Sequence, residues 1–197
     1  QGTLERTIRD LKGFSVEVHG SGRTDGGVHA EAQTASICLP GKVDEEVFQA
    51  ELNRMLPGDI RVTGAKLVKN GFHARYSAVG KRYEYNIDMR EKADVFTRKY
   101  CFHFPEKLDI KAMKAAAGCL VGQYDFAAFT DRNEDQSTVR KIYDIQMEEE
   151  GSKLKIVYEG NGFMYHMVRI LTGTLLEVGT GKRTAKETAA LLRGGER

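Results

Sequence analysis

The chain has 197 residues, which is enough for one large domain or two small ones. Hydrophobic residues make up 41% of it, so it can bury a real core, and no apolar run approaches membrane-spanning length. The formal net charge is only +2, which excludes a uniformly basic surface, so any affinity for nucleic acid has to come from local clusters of charge.

Three cysteines and five histidines offer no spacing that suggests a disulfide framework or a metal site. Cys38, Cys101 and Cys119 form no C-x-x-C pair, and we interpret them as small buried hydrophobic residues in a reducing compartment. The first residue is Gln1 rather than methionine, and it opens directly into a helix-like pattern. We therefore expect the natural start of the chain to lie further upstream.

Periodicity predicts that the first part alternates helix, two strands, helix and strand. Residues 1–12 place apolar side chains at helical spacing and end at Gly13, and residues 44–55 repeat this pattern before Pro57. Strands are predicted at residues 14–18, 33–39 and 60–67. This order is typical of an α+β fold in which helices pack on one face of an antiparallel sheet.

The second part shows a similar order, and two such halves facing each other would leave a cleft between them. Its predicted elements are a strand at 80–87, a helix at 109–121, a turn and apolar segment at 122–126, a hairpin of strands 138–147 and 153–159, a long apolar helix at 162–177, and a last helix opened by a capping box at Thr184 and ended by Gly194 and Gly195. Residues 131–137 are predicted to form a mobile polar loop.

A glycine-rich loop, G-S-G-R-T-D-G-G-V-H-A at residues 20–30, separates the first two predicted strands. Glycine tolerates positive φ, so this loop can hold one carboxylate, Asp25, rigidly over a groove with Arg23 beside it. The alternative is a hairpin turn in which Asp25 only binds nearby amides. A dinucleotide-binding loop is excluded, because Asp25 stands where the third glycine is required and no helix follows.

Two further segments allow a structural and a functional interpretation. Tyr83, Tyr85 and Ile87 share one strand face, either as ordinary tyrosine packing or as a stacking platform for a base beside basic residues. Arg169 lies among apolar residues of the long helix, where it either reaches solvent or pairs with a carboxylate across a cleft. Three residues earlier, His166 is predicted to be a hydrogen-bonded structural histidine.

Four stretches together resemble the tRNA pseudouridine synthase A family, and the likeness runs along nearly the whole chain. They are the loop at residues 20–30, L-P-G-D-I at 56–60, F-H-A-R-Y-S-A with K-R-Y-E-Y at 72–85, and N-G-F-M-Y-H-M-V-R at 161–169. The resemblance implies an α+β fold of two similar halves, 1–72 and 73–197, whose antiparallel sheets join into one extended sheet with the active site in the cleft.

The activity that the resemblance implies is the isomerisation of uridine to pseudouridine in the tRNA anticodon stem-loop, at positions 38, 39 and 40, by a cytoplasmic homodimer without a cofactor. By matching positions, Asp25 resembles the catalytic carboxylate, Tyr83 the tyrosine lying against the target base, and Arg169 the arginine that pairs with the carboxylate. Arg23 resembles the loop arginine that helps to open and hold the RNA. Arg75, Lys81 and Arg82 are expected to contact phosphates, and His29 and Tyr83 are also expected to bind the RNA.

Relative to that family, the sequence lacks a strand and an aromatic segment that usually precede the helix at Gln1 and a segment that usually follows Arg197. The missing strand would be a central strand of the first half. Gly26 also stands where the family more often has alanine, a change that we expect to loosen the loop.

Two other functions stay open at this stage. An aspartate-dependent glycoside hydrolase needs a second carboxylate about 5–10 Å from the first, and no acidic residue adjoins Asp25 in the sequence. A non-catalytic module that binds tRNA or other RNA would use Arg75, Lys81 and Arg82, but it has no need of an arginine–aspartate pair in an apolar cleft.

Overall fold

The computed structural model describes residues 1–131 and 137–194, which form two compact units, Gln1–Ala78 and Val79–Arg197. Each unit has its own hydrophobic core. Both contain helices and strands, so the predicted α+β class is confirmed. Most of the loop predicted at 131–137, namely residues 132–136, and Gly195 of the predicted final helix stop lie outside the described residues.

The first unit contains two helices and a two-stranded antiparallel sheet. In chain order its elements are α1 (Gly2–Lys12), β1 (His19–Gly20), β2 (Ala35–Ser36) and α2 (Glu45–Met55). α1 ends as predicted at Gly13, which adopts φ 78° and donates its N–H to the Arg9 carbonyl. α2 begins where the Asp44 carboxylate accepts the Val47 N–H, so both predicted helices are confirmed.

The core of the first unit lies where α1 packs against α2. An ion pair of 2.8 Å between Lys12 Nζ and Glu51 Oε2 joins the two helices at the edge of this core. The buried apolar side chains are those of Ile8, Val18, Phe48, Leu52 and Leu56.

Strand prediction in the first unit is less accurate, because side chains replace neighbouring strands as backbone partners. The Val18 N–H binds the Glu5 carboxylate at 3.1 Å, and the ladder that was expected at 14–18 begins only at His19. Residues 60–67, all described, form no strand: the Asn53 side-chain amide binds both the N–H and the carbonyl of Val62, each at 2.8 Å. An amide that satisfies both backbone groups removes the need for a strand partner.

The second unit contains a five-stranded sheet in the order β4-β3-β7-β6-β5. β4 pairs parallel with β3, and the other pairs are antiparallel. The predicted hairpin is confirmed, but the segment expected as a turn at 122–126 supplies edge strand β5. In chain order the elements are β3 (Lys81–Asp88), β4 (Phe102–His103), α3 (Ile110–Leu120), β5 (Gly122–Asp125), β6 (Val139–Glu150), β7 (Lys153–Gly160), α4 (Met167–Gly179) and α5 (Ala185–Leu191).

The core of the second unit is formed by the sheet and helices α3, α4 and α5. Its largest fully buried side chain is Tyr158, whose hydroxyl lies 2.8 Å from Thr172 Oγ1. Since Thr172 already donates to the Val168 carbonyl, the Tyr158 hydroxyl is the donor in this pair. This satisfied hydrogen bond allows a phenol to lie at the centre of the core.

The cysteines were interpreted wrongly as buried hydrophobic residues. Cys38 is exposed, Cys101 and Cys119 are partly exposed, and all three are unpaired. Within residues 1–131 and 137–194, every helix is too short or too polar to span a bilayer.

A buried carboxylate, Asp88, organises the chain between β3 and β4. Its oxygens accept two hydrogen bonds of 2.8 Å from the Arg90 guanidinium, and they also accept the backbone N–H groups of Arg90 and Asp94. His103 Nε2 lies 2.8 Å from the Arg90 carbonyl, which ties β4 to the same cluster. The hydrogen bonds from Arg90 lower the pKa of Asp88 well below its ordinary value.

We expect Asp88→Asn to lower the free energy of unfolding at neutral pH and to flatten its dependence on acid pH. Because the folded pKa of Asp88 is depressed, its contribution to stability is complete above the unfolded value of about 3.9 and is lost as the pH falls below it. Urea unfolding of both proteins between about pH 7 and pH 3 measures the effect. Asp10→Asn, at an exposed aspartate, is the matched control, and equal pH profiles for wild type and Asp88→Asn would contradict the expectation.

Candidate active site

The glycine-rich loop is closed at its base by the β1–β2 pair. Beyond the ladder, the Ser21 N–H donates to the Thr34 carbonyl at 2.8 Å. The Gln33 side-chain amide then donates to the Gly22 carbonyl at 2.7 Å. These two bonds hold the stem together, so the loop projects from a fixed base.

Asp25 occupies the first position of a turn within this loop. Its backbone carbonyl accepts the Val28 N–H at 3.2 Å, and Gly27, the third residue of the turn, adopts φ 80°. A positive φ at this position is what a type II turn requires and what glycine provides without strain. Asp25 is half-buried, whereas Arg23 and His29 are exposed.

Tyr83 lies on the face of β3 that packs against the core of the second unit. Its ring meets the Phe163 ring edge-on, with 5.2 Å between the ring centroids. Tyr83 is only half-buried, so part of this tyrosine remains accessible. Lys81 and Tyr85 share its face by strand alternation.

Arg82 points to the opposite face of the same strand. Its guanidinium lies 2.8 Å from the Glu84 carboxylate and 3.4 Å from that of Glu159, its cross-strand partner. The hydrogen bond with Glu84 raises the pKa of Arg82. The two neighbouring basic residues of β3, Lys81 and Arg82, therefore serve different faces of the sheet.

Arg169 lies exposed in the first turn of α4, which begins five residues later than predicted. The helix cannot extend through His166, the one described non-glycine residue with a positive φ, 58°. As predicted, His166 is hydrogen-bonded: its Nδ1 lies 2.9 Å from Asp131 Oδ2, and its ring stacks on Tyr165 with 3.6 Å between centroids. These contacts fix the backbone just before Arg169.

The correction to α4 explains how its preceding segment contacts β3. Phe163, expected in the apolar stripe of the helix, lies in the loop before it and reaches both Tyr83 and Gly160. A Cβ on Gly160 would lie 3.2 Å from the Phe163 ring and 2.8 Å from the Lys141 carbonyl, so glycine makes this approach possible. Tyr83 and the segment leading to Arg169 are thus brought together within the second unit.

Arg75 lies exposed in a turn of the first unit, close to the β1–β2 pair. Its backbone N–H donates to His73 Nδ1 at 3.1 Å, and the next-but-one residue, Ser77, donates its N–H to the His73 carbonyl. The Ala74 N–H donates to Ser36 Oγ in β2 at 3.0 Å. The turn that carries Arg75 is therefore fastened to the base of the Asp25 loop.

Asp25, Arg23, His29 and Arg75 belong to the first unit, and the other predicted site residues belong to the second. The pairing of Asp25 with Arg169 stays a prediction. Within the described residues, no three His, Cys, Asp or Glu side chains converge in a way that could hold a metal ion.

Sequence reasoning missed the contact of Phe163 with Tyr83 and the ring contacts around His73. The first was hidden because Phe163 fits the helical apolar spacing of the residues that follow it. The second includes the contact of His19 with His73, which are far apart in the sequence, and only the aromatic character of residues 72–76 hinted at it.

The two central glycines of the loop offer a matched test of its backbone. Gly27→Ala forces a side chain into positive φ, and we expect it to lower the free energy of unfolding by about 1–2 kcal/mol. Gly26 does not adopt a positive φ and a Cβ there meets nothing within 4 Å, so we expect Gly26→Ala to be neutral or to raise it by about 0.4–1 kcal/mol. Urea unfolding of the two variants measures both effects, and equal losses would contradict this account of the turn.

Comparison with known proteins finds a matching family and several similar sequences. The profile of a family described as tRNA pseudouridine synthase matches residues 1–77 and 116–197. A tRNA pseudouridine synthase A from Bacillus pumilus is 44% identical over 183 residues, covering 92% of this chain and 74% of that protein. Proteins of the same name from Halalkalibacterium halodurans and Citrifermentans bemidjiense are 43% and 41% identical over 100% of this chain, covering 76% and 79% of their own lengths.

Proposed function

Because the chain belongs to the tRNA pseudouridine synthase family, we propose that it isomerises uridine to pseudouridine in the anticodon stem-loop of tRNA, with Asp25 as the catalytic carboxylate. The observation that carries the proposal is the position of Asp25 in a glycine turn on a hydrogen-bonded stem, inside the matched range 1–77. A carboxylate held in this way is oriented before the substrate arrives, which lowers the cost of reaching the reactive geometry.

The reaction breaks the bond between C1′ of the ribose and N1 of uracil, turns the base, and forms a bond from C1′ to C5. The C5 proton leaves and N1 gains a proton, so atoms and electrons balance without a redox partner. An ionised Asp25 can attack the sugar, attack the base or remove a sugar proton, and each route requires the same carboxylate.

Arg169 is the proposed partner of Asp25. It lies in the first turn of α4, directly after the segment in which His166 contacts Asp131, and a guanidinium can bind both oxygens of a carboxylate. A guanidinium beside Asp25 would favour the ionised carboxylate and fix its direction. Residues 161–169 lie within the second matched range, which supports the same assignment.

Tyr83 is proposed to lie against the target base after the uridine has flipped out of the stem or loop. The edge contact with Phe163 fixes the plane of the phenol ring, so the ring offers a prepared surface for stacking. Its hydroxyl can help remove the C5 proton. Flipping costs a few kcal/mol, and exposed Arg23 is suited to fill the gap and hold phosphates, with His29 in the same loop.

The same proposal includes a homodimer in the cytoplasm, in which one tRNA contacts both subunits. Its support is the family resemblance, together with three unpaired cysteines, which suit a reducing compartment. Sedimentation equilibrium of the chain with and without tRNA measures the mass of the assembly.

We expect Asp25→Asn to lower pseudouridine formation by about a thousandfold or more while tRNA affinity stays near that of wild type, because the amide keeps the shape but loses the charge. Arg169→Met is also expected to reduce turnover strongly, because it removes the proposed cationic partner of Asp25. Tritium release from C5-labelled uridine in tRNA measures turnover, and a filter-binding assay measures affinity.

Three outcomes would contradict parts of this proposal. Full turnover by Asp25→Asn would remove Asp25 from its role, and full turnover by Arg169→Met at neutral pH would remove the ion pair. A wild-type chain that binds tRNA tightly but releases no tritium would favour the non-catalytic RNA-binding module.

Arg75, Lys81 and Arg82 are the proposed phosphate contacts, and the two faces of β3 allow a sharper test of the last two. We expect Lys81→Gln to reduce the slope of log affinity against log salt by about one, as one lost phosphate contact does. Arg82→Gln is expected to change it less, since Arg82 lies on the face of β3 opposite Tyr83, whereas Lys81 shares the face of Tyr83. Affinity measured across a salt series distinguishes them, and an unchanged slope in the double variant would put the RNA footprint elsewhere.

A further inference from the structure

Three aromatic rings form a column in the first unit. The His19 and His73 ring centroids are 4.7 Å apart, and the His73 and Tyr76 centroids are 4.4 Å apart. The planes of the rings are tilted by 35° in the first pair and by 36° in the second. His19 belongs to β1, and the column therefore starts on the stem of the Asp25 loop.

The turn that carries the outer rings is tied to the sheet by hydrogen bonds on both sides of His73. Ser36, the cross-strand partner of His19, accepts the Ala74 N–H at 3.0 Å. The His73 N–H and the Ser77 hydroxyl are 3.1 Å apart, and the Ser77 N–H donates to the His73 carbonyl at 2.8 Å. The same strand pair thus carries the Asp25 loop and anchors the turn that holds Tyr76.

Tyr76 itself is 81% exposed, although its ring sits at the end of an ordered stack. An apolar ring held in place and left in water has already lost part of its rotational freedom, so a second ring that covers it incurs a smaller entropic cost. Exposed Arg75 is the adjacent residue. An aromatic ring beside a cation is the combination with which proteins bind single-stranded nucleic acid.

We propose that Tyr76 is a stacking site for an unpaired nucleobase of the RNA, separate from the target uridine that Tyr83 is proposed to meet. The inference rests on the proposed function, because it takes tRNA as the ligand. A nucleobase is the occupant that we propose, because the exposed phenol ring of Tyr76 offers a face for stacking and Arg75, in the same turn, offers a cation for a neighbouring phosphate.

The site also gives the first unit a role in binding that does not depend on charge. A stacked base adds affinity without neutralising a phosphate, so its loss weakens binding equally at low and high salt. Arg75 has the opposite signature, since a lost phosphate contact changes the salt slope. The two neighbouring side chains can therefore be separated in one experiment.

The test uses the whole 197-residue chain carrying Asp25→Asn, so that binding is measured without turnover. The probe is an unmodified anticodon stem-loop RNA, together with a set in which each loop base in turn is replaced by fluorescent 2-aminopurine. Tyr76→Ala, Tyr76→Phe and Arg75→Gln are compared with Phe96→Ala, a control at a ring that is 89% exposed in the second unit.

We expect Tyr76→Ala to weaken binding by on the order of tenfold to a hundredfold at every salt concentration, with an unchanged salt slope. One 2-aminopurine position should lose its quenching in this variant, and Tyr76→Phe should restore both affinity and quenching because it keeps the ring. Arg75→Gln is expected to lower the slope by about one, and Phe96→Ala to bind as the parent does.

The proposal fails if Tyr76→Ala binds the RNA with unchanged affinity and quenching, or if Tyr76→Phe binds as weakly as Tyr76→Ala. It also fails if affinity falls only in variants that unfold at a lower urea concentration than the parent. A change in oligomeric mass with all quenching retained would identify a protein contact instead and also overturn it. Tritium release is measured separately on the wild-type chain and on Tyr76→Ala, both with Asp25 intact. Full release by both would overturn the role of Tyr76 alone, whereas no release by the wild-type chain would overturn the proposed function.

Discussion

The antiparallel pairing of His19 with Ser36 is the contact on which the functional side chains of the first unit depend. On one side of this short ladder, the chain leaves and returns through the loop that carries Asp25, with Gln33 closing the stem. On the other side, Ser36 holds the turn that carries Arg75. Two residues of strand thus determine the positions of groups that the chain supplies from separate regions.

In the second unit, the close approach of the Phe163 ring to the Gly160 backbone positions Tyr83. Gly160 ends β7 opposite Lys81, and its lack of a side chain leaves room for Phe163 to reach Tyr83. Strand alternation then decides which neighbours share the tyrosine's surroundings. Arg82 lies next to Tyr83 in the sequence, yet it belongs to the charged face with Glu84 and Glu159.

Local chemistry made some elements predictable from the sequence. Asp44, Asp109 and Thr184 each accept a backbone N–H at the start of a helix, and the full capping box at Thr184 is present as the sequence indicated. A cap and a periodic apolar face act within a few residues, so the sequence carries both signals.

The elements that were predicted wrongly depend on tertiary contacts, which leave no signal in the local sequence. The Asn53 side chain replaces a strand partner for Val62, a substitution that alternation of apolar residues cannot reveal. His166 begins α4 late, because its left-handed backbone ends an apolar spacing that otherwise reads as helical. Asp25 and Tyr83 were identified by motif, but their surroundings depended on contacts from distant residues.

The cluster at Asp88 has a practical consequence for the crossover between β3 and β4. A parallel connection between two strands usually contains a helix that returns the chain. Here the Asp88 carboxylate binds Arg90 and the Asp94 N–H at the end of β3, and the Arg90 carbonyl contacts His103 in β4. These contacts hold both ends of the connection. Residues 95–101 are therefore fastened at their base and lie outside the sheet. Such a segment suits the insertion of an affinity tag or a fluorescent label, since changes in its length need not be transmitted to the strands.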